Sequence, residues 1–189
     1  MKTINNIKKY GSVAIFAAVI MTGCSKDDDP VTPLVTPAVT APAEENELEV
    51  ITDVKLLFTN VSNANDIVEA RAQDPDGVGV QELVILDNIS LDTNKTYTLT
   101  YEIFNNLESP GENIGDEILE EDEEHQLFYG FSNSVFTNPT GNGNIDNSAD
   151  PLSYNDMDGN GNPIGLSTTW TTSSSQLSGG YFTVRLQHQ

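Results

Sequence analysis

The chain has 189 residues, with 29 Asp and Glu against 8 Lys and Arg and a formal charge of −21. That length suits one domain, or at most two, and rules out a large multidomain enzyme. The charge leaves no basic footprint for a phosphate backbone, so nucleic acid drops out as a partner.

Residues 1–23 read as a secretory signal peptide. Lys2, Lys8 and Lys9 precede an apolar run from Val13 to Met21, and small residues follow. That run is about half of the roughly 20 residues needed to span a bilayer, so no transmembrane helix is expected from it. Met21-Thr22-Gly23-Cys24 resembles a bacterial lipobox, which makes Cys24 the expected lipidation site and the membrane, reached through a lipid anchor, the expected partner. As the single cysteine of the chain it has no internal partner, and two or more acyl chains would hold the protein stably. Ser25-Lys26-Asp27-Asp28-Asp29 resembles the acidic surface-export signal of Bacteroidota-type lipoproteins, which implies an outer-membrane location facing the cell exterior. Residues 24–47 complete the leader as a tether: Pro30, Pro33, Pro37 and Pro42 stand among Val, Thr and Ala, a composition that favours extended polyproline II. At about 3.1 Å per residue it reaches up to roughly 70 Å.

Residues 48–189 carry the folded domain. Leu, Ile, Val and Phe number 49 over the whole chain, about a quarter of it and above the level of about 20% below which disorder is the default. From Leu48 the pattern has period two, with Val50, Val54, Leu56 and Phe58 on one face of a strand. Ile67 to Gln73 reads as a second strand, stopped by Asp74-Pro75-Asp76-Gly77, where Asp74 and Asp76 mark a hairpin corner. Glu82 to Ile89 reads as a third. Lys95 to Phe104 alternates cleanly, with Tyr97, Leu99, Tyr101 and Ile103 inward. Gln126 to Phe131, Leu166 to Thr172 and Tyr181 to Gln187 complete about seven strands, and Trp170 reads as a core residue. Between them, Gly115 to His125 reads as one short acidic helix, capped by Asn113 or Gly115 and placing Glu117, Glu121 and His125 on one stripe. The expectation is a mainly β, antiparallel, immunoglobulin-like sandwich.

The stretch Ile118 to Tyr129, with Gly141-Asn142-Gly143-Asn144-Ile145-Asp146 and Leu166 to Trp170, resembles small acidic outer-membrane lipoproteins of Bacteroidota that carry the label type 1 periplasmic binding fold superfamily. The alternating strands themselves point to the sandwich.

Three constellations carry candidate chemistry. Asp156-Met157-Asp158-Gly159-Asn160-Gly161 has the spacing with which calcium loops open, and Asp146 and Asp150 add oxygen donors from the same long loop. Position twelve is Ser167 rather than a bidentate Glu, so an EF-hand is disfavoured and any calcium would bind weakly, at about 10⁻⁴ to 10⁻³ M. Glu121 and His125 suit a shared divalent metal, and His188, the other histidine, would with His125 ligate zinc or a haem iron if the two met in space. For catalysis the chain offers no activated Ser or Cys beside a base, no Walker loop and no G-x-S-x-G, so no enzyme is expected. These readings converge on a surface-anchored outer-membrane lipoprotein that acts as a non-catalytic binding or accessory module, with an outer-membrane nutrient-transport receptor as a candidate partner. The alternative is a calcium-stabilised structural or adhesive module.

Overall fold

The computed structural model describes residues 49–79, 82–107 and 109–188. The expected signal peptide, Cys24 and the tether lie outside them. Among the described residues there are nine strands: β1 (Asp53–Asn60), β2 (Ile67–Gln73), β3 (Val84–Ile85), β4 (Thr96–Asn105), β5 (Glu112–Asn113), β6 (His125–Phe131), β7 (Phe136–Asn138), β8 (Thr168–Thr172) and β9 (Phe182–His188), with one helix, α1 (Ile114–Glu120), between β5 and β6. Every strand pair is antiparallel.

Seven strands form one sheet in the order β3-β2-β1-β4-β8-β7, with β5 paired to the end of β4. The other two, β6 and β9, form a separate ribbon. The fold is mainly β, with a core between sheet and ribbon. Phe58, Tyr97, Leu99, Ile103 and Trp170 come from the sheet and Leu127, Tyr129 and Phe131 from the ribbon, all buried in one cluster. Trp170 is fully enclosed, its ring within 5.4 Å, centroid to centroid, of Tyr129, Phe131, Phe136 and Phe182. Its indole N–H donates to Thr168 Oγ1 at 2.7 Å, so the one polar atom of the ring is paired inside the core.

Two expected elements are shorter than the sequence suggests. Of the run from Glu82 to Ile89 only Val84 and Ile85 pair, at the sheet edge, and Val84, Ile85 and Leu86 are exposed. The helix runs from Ile114 to Glu120 rather than to His125. Asn113 caps it, its side chain accepting the Gly115 N–H at 3.2 Å, and Asp116 and Glu117 occupy its positive end. Ile114 and Ile118 bury its inner face. Beyond Glu121 the acidic run has no apolar residue to continue that face, and Glu120 to Glu124 would crowd negative charge at the negative end of the dipole. The chain leaves the helix in a turn, with Glu124 N–H donating to Glu121 O at 2.9 Å, and His125 opens β6 instead of closing a helical stripe.

Candidate metal centre

The ribbon register sets the centre. β6 and β9 pair with His125 directly opposite His188, which brings two cross-strand side chains onto the same face. Their rings meet edge to face, with centroids 4.8 Å apart and planes at 87°. His125 is fully buried at the side chain. The turn after α1 carries Glu121 past it, so that Nδ1 lies 3.1 Å from the Glu121 carbonyl oxygen and 3.8 Å from its carboxylate. On the other side of the ring, Nε2 lies 2.5 Å from Oε1 of Glu49, whose side chain is 15% exposed. His188 Nε2 stands 3.1 Å from Oε2 of Glu124.

One ligand atom from each of Glu49, Glu121, His125 and His188 falls within 4.8 Å of all the others. Four donors around a tetrahedral ion at 2.0–2.1 Å stand about 3.4 Å apart, so the short Glu49–His125 contact must open and the widest separations must close. Glu121, 51% exposed at its side chain, is the arm with freedom to move. Nδ1 of His125 faces a backbone carbonyl, the contact that commonly fixes the ring and tautomer of a ligating histidine while the other nitrogen faces the metal. Two imidazoles and two carboxylates carry −2 between them and balance a divalent cation. The set mixes nitrogen and oxygen donors, which suits zinc and its transition-metal neighbours better than calcium.

More acid surrounds the centre. Glu117 has its pKa raised to about 7, first by burial, then by a hydrogen bond with Glu112, then by the charges of Glu112, Glu49 and Glu121. With Glu124 beside His188, these groups place the histidines in a field that draws cations.

The loop carboxylates are arranged otherwise. Asp156 accepts the N–H of Gly165 at 3.0 Å and of Ser167 at 2.8 Å, one on each oxygen. Oδ1 of Asp158 accepts the N–H groups of Asn160 and Asn162, and Oδ2 accepts the Asn162 side-chain amide at 2.8 Å. That amide, followed by the N–H groups of Asn162, Asn160 and Gly161, holds the Asp158 carboxyl below its ordinary range. Asp146 meets the Asn142 side chain and Asp150 that of Asn147. Among the described residues no three of Asp146, Asp150, Asp156 and Asp158 converge as metal-binding carboxylates, whereas Glu121, His125 and His188 do, joined by Glu49. Glu49 lies 76 positions from His125, and no local pattern marks it.

Comparison with family models, with curated proteins and with solved structures finds no match for the chain. No helix among the described residues is long and apolar enough to cross a membrane.

Proposed function

We propose that this protein is a lipid-anchored, surface-displayed binding module of the outer membrane that holds a divalent transition metal on Glu49, Glu121, His125 and His188. The convergence of those four ligand atoms carries the reading. A set of four protein ligands closes a tetrahedral sphere, whereas a catalytic metal keeps one position for water or substrate, which supports binding rather than turnover. The lipobox at Cys24 and the proline-rich tether support display away from the lipid, where the module would act beside a receptor for nutrient transport.

Zinc titrated into the purified protein, followed by calorimetry, should bind one ion per chain. His125→Ala with His188→Ala should remove the heat, and calcium should not replace it. Equal zinc binding by the double variant would overturn the site. Cys24→Ala should release the protein from the membrane fraction, and its full retention there would remove the anchor.

A further inference from the structure

The face of the β6–β9 ribbon opposite the histidines pairs Gln126 with Gln187 and Phe128 with Arg185. The loop after β7 crosses this face, held by the bridge between Gly130 and Gly143 and by the Ile145 N–H on the Tyr129 carbonyl at 3.0 Å. Gly143 has φ +95 and lies so close to that carbonyl that no side chain fits. An open pocket of about 520 Å³ lies here, lined by Gln126, Phe128, Asp146, Ser148, Arg185 and Gln187 among others.

Arg185 differs from Lys55 and Arg71. Lys55 pairs with Glu102 at 2.6 Å and Arg71 with Asp87 at 2.7 Å. The Arg185 guanidinium lies 5.2 Å over the Phe128 ring, and its Nε, closed to solvent, hydrogen-bonds to nothing among the described residues. In a chain with 29 acidic side chains, a guanidinium that lines the pocket and has no carboxylate partner among the described residues is open to one supplied by a ligand.

We propose that this pocket binds the carboxylate of a small zwitterion of the α-amino-acid class, with Arg185 as anchor and Asp146 facing the ammonium group. The planar guanidinium, oriented by the Phe128 ring, offers the two-pronged donor that matches a carboxylate. Asp146 on the same wall opposes a second negative charge and welcomes a positive one. The acidic chain repels a free anion, but a neutral zwitterion crosses that field without penalty. The Gln126 and Gln187 amides and the Ser148 hydroxyl supply polar contacts, and the volume suits a small molecule. This site shares the ribbon with the metal centre but does not depend on it.

Glycine, acetate and glycinamide titrated into the ¹⁵N-labelled protein, with the Arg185 Nε–H resonance observed, test the proposal. Glycine should shift that resonance to saturation, acetate should bind about tenfold more weakly, and glycinamide should leave it in place. Arg185→Lys, which keeps the charge and loses the fork, should weaken glycine binding about tenfold, read on the Gln126 and Gln187 amide resonances. Asp146→Asn should weaken glycine and strengthen acetate. No shift with either glycine or acetate, or equal shifts with glycine and glycinamide, would overturn the proposal.

Discussion

The loop from Asp156 to Ser167 and the centre around His125 are both dense in metal-ligand side chains, yet they use them in opposite ways. In the loop, carboxylates and backbone are neighbours in sequence, so each carboxylate finds an N–H group within eleven residues and is consumed in shaping the turn. In the centre the groups come from the start of the domain, the end of α1, and facing ends of β6 and β9; apart from Glu121 and His125, which meet across the turn that ends the helix, they are too far apart in sequence to serve one another's turns. They face each other instead. Ligand types packed closely in sequence therefore describe a turn as readily as a site, and groups gathered from distant segments are the stronger indication of a bound ion.

The contrast can be broken or sharpened by experiment. The largest expected effect is structural: Asp156→Ala strands the N–H groups of Gly165 and Ser167 and should cost about 3–6 kcal/mol in urea unfolding, since each bond to a charged acceptor contributes about 1.5–3 kcal/mol. A loss near zero would mean the carboxylate is free for a cation after all. Zinc should follow closely, stabilising the wild type by about 2.7 kcal/mol at one hundred times its dissociation constant, and His125→Ala should remove that gain in melting temperature.

The third effect concerns pH. Glu117 holds its proton up to about pH 7 in the folded protein, whereas the unfolded chain loses it near the ordinary glutamate value of 4.5. The folded state thus binds more protons between those limits, and stability falls as pH rises through them. Glu117→Gln should flatten that slope and raise stability at pH 8 by about 1 kcal/mol, discounted for solvent screening. An unchanged slope in the variant would show that Glu117 is not the group that titrates. Smallest of all is calcium, which at about 10 mM should stabilise the wild type by less than about 0.5 kcal/mol. A larger gain, lost in Asp158→Ala, would restore the loop as the metal centre.

The strands were legible where one face is buried: β1 and β4 place Phe58, Tyr97, Leu99 and Ile103 inward as their alternation predicts. Asn113 as helix cap and Trp170 as core were legible from local chemistry. The helix end was not, because the run from Glu120 to Glu124 is polar on every side and carries no period. Nor was the loss of most of the strand over Glu82–Ile89, since an apolar run does not say whether a partner strand lies beside it. At the candidate metal centre, the acid–histidine spacing pointed to Glu121 and His125. The meeting with His188 depends on the register of two strands separated by β7 and β8, which no turn sets, and Glu49 depends on where the domain begins in space.

The Glu49 carboxylate is fastened to His125 four positions before β1 begins. If the protein hangs from its amino-terminal side, mechanical load enters the domain at this point. The Glu49–His125 clasp takes it first, and a bound ion would add two further attachments. Beyond it the pull runs along β1, which is laddered to β2 on one side and β4 on the other. Force along that axis must shear two antiparallel ladders at once rather than open one bond at a time. The clasp and the central strand together would resist a pull applied from the amino-terminal side of the domain.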